Sequence, residues 1–461
     1  MIKSPFKSFF SPKRVSWKLN AGYSILLICL YLLFFSLLSM INWKLAGEKG
    51  LFLAIASFPI LAYILAQVLF SQLYRPRPTV KHHSTVFRNM PRPKVAAILT
   101  MYNEEGRMVK EAVNGLLHQK TPVDEIYVVD DGSHDLSGYK TVLKLKRAWE
   151  SSHAQVSSDS IAISEKANHN LKWKIHRFPI NQGKRHAQAW ALRQTDADII
   201  VTMDMDSVLQ AEAIEQLIQP FFQQNVMAVA GDIGVTMKKK NLLTRLTDFH
   251  YQYLFRTECA AHSATGHLLY CSGPLAAYRR EVIIDHLHEY VNQRFMGKPI
   301  QMGDDRFLTG LANRLGHTVY QSTARCQTQI PERWSSFIQQ QLRWARSFII
   351  ESMTALKTYA TMKKAAPFLW TLGELFTWPI FAVAFLLDMV LNSGQMGWSL
   401  LLYYLGYISL FAYLRNMGSL FSDAKRYLWM SPLHGLLQFG LMTWIRMYAL
   451  FTLRTTAWGN R

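Results

Sequence analysis

Apolar residues in this chain form long unbroken runs near both ends and short, spaced runs in the middle. Ala21–Ile41 and Leu51–Leu73 carry no charge, and each meets the roughly 20 residues a helix needs to cross hydrocarbon. Pro367–Leu391 and Trp398–Leu414 repeat the pattern, and Leu428–Leu453 repeats it in a more broken form. Between about Met90 and Ala366 the runs shorten. "KVAAILT", "EIYVVD", "KWKIHRF" and "DIIVTMD" predict strands, "MVKEAVNGLLHQK" and "GKRHAQAWALRQT" predict helices, and Trp149–Asn170 reads as a looser stretch rich in Ser, Lys and His. Strands alternating with helices predict an α/β domain with a mostly parallel, Rossmann-like sheet. The chain thus divides into a basic N-terminus (1–20), two transmembrane helices (21–75), the α/β domain (90–330), amphipathic interface helices (331–366), C-terminal transmembrane or re-entrant helices (367–453) and a terminal segment (454–461).

In such sheets ligands bind at the carboxyl ends of strands. Here Tyr102–Glu104, Asp130–Asp131 and Asp204–Asp206 each follow a strand. Side chains alternate along a strand, so Asp204 and Asp206 share a face. Two like charges at a low-dielectric edge need a positive partner. A hard divalent cation, Mg²⁺ or Mn²⁺, supplies one, because it prefers oxygen ligands and shares carboxylates with substrate phosphates. Taken singly, each acid is also a helix cap or turn former; capping uses one carboxylate, which weighs against that reading for the pair. "NQGKRHAQAW" places Gly183, Lys184 and Arg185 before a helix whose N-terminus favours anions. No Ser or Thr follows the lysine, so this is not a Walker motif.

The formal net charge is +20, from 51 basic and 31 acidic residues. Lys3, Lys7, Lys13, Arg14 and Lys18 precede the first apolar run, and Arg75, Arg77 and Lys81 follow the second. Basic flanks mark the cytoplasmic side of a bilayer. They account for the charge without a nucleic-acid partner and place a multi-pass chain in the plasma (inner) membrane with its α/β domain in the cytoplasm. The first run begins too far inside the chain for a cleaved signal and is followed by a second, so it reads as an anchor. Cys29, Cys259, Cys271 and Cys326 lack ligand-like spacing, which argues against a disulfide framework or zinc site. His262, His267, His286 and His288 read as ordinary surface or core histidines. In "ERWSSFIQQQLRWARSFII", helical spacing gathers Trp334, Phe337, Ile338, Leu342, Ala345, Phe348 and Ile349 on one side. Gln340, Arg343 and Ser347 fall opposite with Trp344 at the border, the pattern of a helix along a membrane surface.

"TMYNEEG", "VVDDGS", "NQGKRHAQAWA", "MDMDS", "CSGPLAAYRREV", "GDDRFLT" and "QQLRW" follow the order found in processive family-2 glycosyltransferases of GT-A fold. From its N-terminal spans to the closing "WGNR" the chain resembles class I hyaluronan synthases. The resemblance implies an inverting, metal-dependent enzyme with UDP-GlcNAc and UDP-GlcA as donors, a growing polysaccharide passed through the bilayer, and no obligatory protein partner. It implies that Tyr102, Glu104, Asp130 and Asp131 hold uridine, with Lys184 and Arg185 toward the diphosphate. Asp206 would ligate the metal, with Asp204 near the nucleotide as a second metal candidate. Asp305 would be the general base; Asp304 is the second candidate, the alternative being a turn carboxylate paired with Arg306. Gln340 and Arg343 would support the nucleotide and acceptor. Trp344 would stack on the acceptor sugar, and Cys271, Ser272, Gly273 and Pro274 would line its site. Trp458 and Arg461 would close over the nucleotide.

Three departures stand out. "WGNR" replaces the family's usual Trp-Gly-Thr-Arg, and Met205 sits where Ser is usual. "QQLRWARS" also resembles chitin-oligosaccharide synthases, which leaves a β-linked homopolymer open. Five crossings from the cytoplasm would strand Arg461 outside. Leu428–Leu453, with Pro432, Gly435, Gly440 and Arg446, is therefore the candidate re-entrant segment, against a simple fifth crossing. A catalytically silent scaffold would not need these acids.

Overall fold

The computed structural model describes residues 21–46, 51–78, 92–159, 171–236, 240–396, 398–418 and 423–455. The basic N-terminus and the expected closing residues Trp458 and Arg461 lie outside the described residues.

Two apolar helices come first, α1 (Ala21–Ala46) and α2 (Leu51–Leu73). The chain then alternates through β1 (Val95–Met101), α3 (Gly106–Leu117), β2 (Glu125–Asp130), α4 (Ser137–Asp159), β3 (Lys172–Arg177), α5 (Lys184–Leu192) and β4 (Ile199–Asp204). Next come β5 (Ser207–Leu209), α6 (Ala213–Ile218), β6 (Val226–Val235), α7 (Leu242–Tyr253), a π-helical turn (Leu254–Cys259) and α8 (Ala260–Ala264). They are followed by β7 (Ala276–Arg279), α9 (Arg280–Ile284), α10 (Leu287–Val291), the small hairpin β8 (Arg294–Phe295) and β9 (Lys298–Pro299), α11 (Asp304–Leu315) and β10 (His317–Thr328). The C-terminal part holds α12 (Trp334–Thr361), α13 (Ala365–Met396), α14 (Trp398–Asn416), α15 (Ser431–Gly435) and α16 (Met442–Phe451). The expected loose stretch after Trp149 begins as the last turns of α4; its residues 160–170 lie outside the described set.

Eight strands form one sheet in the order β3-β2-β1-β4-β7-β6-β10-β5. β3, β2, β1 and β4 run parallel, and every residue of β2 is buried, as expected of a sheet covered on both faces. β7 runs antiparallel to both β4 and β6, while β10 is parallel to β6. The reversal at β7 carries the loop ahead of it to the same edge where β4 and β6 end.

Helices and sheet share one apolar core. A second cluster joins α1, α2, α13 and α14. A third packs Phe337, Ala345, Phe348 and Ile349 of α12 against α7, Trp378 and α16. Much of the apolar stripe read from the sequence is therefore covered by protein, leaving Trp334 and Ile338 exposed. Among the described residues, two segments are long and apolar enough to cross a membrane, Ile55–Leu73 and Ala365–Leu391. The stretch expected to be irregular is broken in the structure: a 3₁₀ segment (Asp423–Met430), α15, a π-helical turn (Leu436–Leu441) and α16 succeed one another.

Candidate active site

Three neighbouring strands end almost level. The register pairs Met101 with Asp130 and Thr100 with Asp204, so β1, β2 and β4 open onto one side of the sheet. A cavity of about 360 Å³ lies there, within the range of small-molecule sites. Tyr102, Glu104, Asp131, Lys184, Asp204, Asp206, Ser272, Gly273, Pro274, Asp304, Asp305, Gln340, Arg343 and Trp344 all line it. Residues scattered over more than 240 positions thus meet in one space.

Three expected residues do not reach it. Asp130 is fully buried beneath the cavity, where its carboxylate accepts from the Ser133 hydroxyl and pairs with Arg177 Nε at 2.9 Å. Its neighbour Asp131 is the one that faces the cleft, accepting the backbone N–H groups of Gln182 and Gly183, each at 2.8 Å. Arg185 is 2% exposed and turned away from the phosphate side. Its guanidinium donates to the carbonyls of Tyr290 (3.0 Å) and Met302 (2.8 Å) and to Gln293 Oε1 (2.6 Å), and lies 3.6 Å from the Glu351 carboxylate. It is a clasp between α5, the segment leading into α11, and α12. Cys271 is buried, and its N–H donates to Thr309 Oγ1 (2.7 Å). It anchors the loop whose next three residues line the cavity.

The positive charge beside the strand-end Asp204 here is a lysine, which ties it to Asp304 at the start of α11. Lys184 Nζ donates to Asp204 Oδ1 (2.9 Å) and lies 3.0 Å from Asp304 Oδ2. Burial works against its charge, but Asp204 and Asp304 outweigh burial and hold the ammonium well above the ordinary lysine range. Asp304 and Asp305 occupy the first turn of α11, where the helix dipole favours carboxylates. Gly303 caps that helix at φ +76°, and a Cβ there would collide with the Ser347 hydroxyl of α12. Only glycine lets the two aspartates start so close to α12. Their environments then diverge. Burial disfavours both charges, but Lys184 holds Asp304 below the usual carboxylate range, whereas burial and the Asp304 charge push Asp305 up to about 6. Asp305 Oδ1 accepts the Arg306 backbone N–H at 2.8 Å. The Arg306 guanidinium itself is committed elsewhere, as a fork on both Glu374 oxygens at 2.9 and 3.3 Å.

The donor set suits a divalent cation shared with substrate. Asp206 Oδ1 accepts from the hydroxyls of Ser207 (3.3 Å) and Thr328 (3.2 Å), which orient the carboxylate. Gly273 leaves room over Asp204: a Cβ there would stand 3.0 Å from Asp204 Oδ2 and 3.3 Å from Lys184 Nζ. Among the described residues no group of three or more His, Cys, Asp or Glu forms a closed metal cage. Two hard oxygen donors with open space fit an ion whose remaining ligands are phosphate and water.

The cavity continues past the sheet. Gln340, Arg343 and Trp344 of α12 form its middle, with Trp344 42% exposed. Beyond them come Tyr63 and Gln67 of α2, Glu258, Glu374 and Trp378, Arg415 of α14, and Gln438, Phe439 and Arg446. The sequence assigns neither Glu374 nor Arg415 to the site; Arg415 reads there only as a cytoplasmic flanking charge. For Glu374 there was a signal: with Asp388 it is one of two charges within the apolar run Pro367–Leu391. Glu258 gave none, since only the tertiary fold brings the π-helical turn to this wall.

A model of the family described as "Glycosyltransferase like family 2" matches residues 91–347. A hyaluronan synthase of Streptococcus pyogenes serotype M1 is 35% identical over 438 residues, 95% of this chain and 97% of that protein. An N-acetylglucosaminyltransferase of Azorhizobium caulinodans is 30% identical over 373 residues, 80% of this chain and 87% of that one. The structure of the mannosyltransferase PcManGT from Pyrobaculum calidifontis, in complex with GDP-Man and Mn²⁺, shares the fold, with a TM-score of 0.52 at 19% identity over 84% of this chain and 98% of that one.

Proposed function

The chain belongs to glycosyltransferase family 2 and is a homologue of hyaluronan synthases, and from that premise we propose that it polymerises UDP-GlcNAc and UDP-GlcA into hyaluronan at a membrane and passes the product across it. The observation that carries this reading is the continuity of one cavity, from the acids at the sheet edge through "QQLRW" to helices α2, α13, α14 and α16. A soluble transferase acting on short acceptors needs only the first half of that space.

In the proposed reaction Tyr102, Glu104 and Asp131 hold the uridine, and Lys184 and Arg343 meet the diphosphate. Trp344 offers a flat apolar face to the acceptor sugar. Asp305 takes the proton of the acceptor hydroxyl as that oxygen bonds to the anomeric carbon, while the carbon–oxygen bond to UDP breaks on the opposite side. An α-linked donor thereby yields a β-linkage. A carboxyl raised to about 6 is a better proton acceptor than an ordinary aspartate yet is still ionised near neutral pH. Mg²⁺ or Mn²⁺ held by Asp206 and Asp204 would offset the charge gathering on the departing diphosphate. The basic flanks of the first two apolar runs support a cytoplasmic catalytic domain on a multi-pass plasma-membrane protein.

The test is synthesis by the purified chain in lipid nanodiscs, supplied with each donor alone and with both. High-molecular-weight product is expected only with both. Long product from UDP-GlcNAc alone would overturn this reading in favour of a chitin-like homopolymer.

A further inference from the structure

The cavity is electrically lopsided. At the sheet end six carboxylates, Glu104, Asp131, Asp204, Asp206, Asp304 and Asp305, share the wall with two cations, Lys184 and Arg343. At the helix end the balance reverses, with Arg306, Arg415 and Arg446 against Glu258 and Glu374. Arg306 and Glu374 pair with each other and cancel. Among the described residues, no carboxylate lies within 4.0 Å of Arg415 or Arg446. Each guanidinium instead sits over an aromatic ring, Arg415 at 4.2 Å from the Tyr253 centroid and Arg446 at 5.7 Å from that of Phe348. Stacking orients such a group but leaves its charge in place.

Glu258 offsets the two arginines only in part, and Glu374, which also acts on Arg446, is already forked by Arg306. Burial, with the Glu374 charge adding to it, pushes the Glu258 carboxyl up to about 7, so much of it is protonated at neutral pH. Charge withdrawn from water without a counter-ion is unfavourable. Two such cations on separate elements, α14 and α16, facing one cavity, are a binding site for an anion. A planar carboxylate matches the guanidinium fork. Trp378 and Phe439 on the same walls give apolar area to a pyranose ring.

We propose that Arg415 and Arg446 form a subsite that reads the carboxylate of an acidic sugar in the growing chain, beyond the acceptor position. This deepens the polymerase reading and rests on it: a neutral chain would leave both cations without a carboxylate partner, whereas an alternating acidic one would supply it as it passes.

The test uses the full chain in phosphatidylcholine nanodiscs, titrated with a hyaluronan hexasaccharide or with chitohexaose, a neutral chain of equal length. Trp344 and Trp378 in the cavity supply the fluorescence readout. The acidic oligosaccharide is expected to bind about tenfold more tightly at low salt, with the advantage shrinking as salt is added. Arg446→Gln and Arg415→Gln should each remove most of that advantage, and Arg446→Lys should keep part of it. Equal affinities in the native protein, or a full advantage retained by folded variants, would overturn the subsite. If the variants fail to fold, the salt dependence of the native protein decides: an advantage insensitive to salt would also overturn it. Repeating the titration with phosphatidylglycerol separates a sugar carboxylate from a lipid headgroup. Unchanged binding supports the sugar, and competition by the anionic lipid overturns that assignment. The two readings fail separately. Two-donor synthesis without oligosaccharide selectivity sinks the subsite alone, and selective binding without synthesis sinks the activity.

Discussion

Lys184 and Asp204 form an ion pair at 2.9 Å in the middle of the site, and the same ammonium reaches Asp304 at 3.0 Å. A metal arriving alone must compete with a lysine for Asp204, whereas a nucleotide diphosphate gives that lysine another anion to hold. Mn²⁺ binding followed by electron paramagnetic resonance should therefore be weak without nucleotide and strengthen with UDP. Lys184→Gln should raise nucleotide-free Mn²⁺ affinity about tenfold and reduce sugar transfer at least ~100-fold. An unchanged Mn²⁺ affinity would show that the lysine does not guard the carboxylate.

Asp305 gives a signed pH dependence. As a base it works only when ionised, so transfer should rise with pH through a midpoint near 6. Asp305→Asn should lower the rate by roughly 10²–10⁴-fold. The folded-state value lies above that of an unfolded aspartate, about 3.9. The fold therefore favours the protonated form, and stability falls as pH rises between the two values. Asn should consequently raise the melting temperature by a few degrees at neutral pH and have little effect near pH 4. A variant melting lower than the native protein at neutral pH would contradict the assigned environment.

Arg185 is expected to act on stability before it acts on catalysis. Replacing it with Gln removes three hydrogen bonds made by a buried guanidinium. Glu351, which burial already pushes up to about 7, can protonate and soften the loss. A deficit of about 2–4 kcal/mol is expected for a broken buried network. Thermal melting without ligand checks it. Lys184→Gln at the adjacent position should perturb melting much less and nucleotide affinity much more.

Trp344 should matter to the acceptor and not chiefly to the donor. Trp344→Ala is expected to raise the KM of an oligosaccharide acceptor about tenfold, a loss of ~1.4 kcal/mol in keeping with an aromatic contact. Trp344→Phe should restore most of it. Equal shifts in donor and acceptor KM would place the ring elsewhere in the reaction.

The carboxyl edge of the sheet was legible because its signals are local. Apolar runs of strand length, each ending in acids, mark β1, β2 and β4 whatever the rest of the chain does. Adjacent residues were harder. Asp130 and Asp131 point to opposite faces because strand side chains alternate, and composition does not say which one meets the ligand. Lys184 and Arg185 are likewise separated by about 100° around a helix, so one turns to the cleft and the other into the core. β7 is only four residues long, and nothing in its sequence announces that it runs backwards between β4 and β6. Glu258 enters the wall through tertiary packing alone. The stripe on α12 packs against α7 and the C-terminal helices, which the sequence could not distinguish from a lipid surface, since lipid and protein reward the same periodicity.

The fork between Arg306 and Glu374 ties the first turn of α11 to α13. If α13 spans a bilayer as proposed, whatever tilts it, be it bilayer thickness, lateral pressure or a solubilising detergent, pulls on the residue next to the proposed proton acceptor. Turnover should thus answer to the surrounding lipid as well as to substrate supply. A fragment trimmed after the sheet would keep its aspartates and lose the floor beneath them.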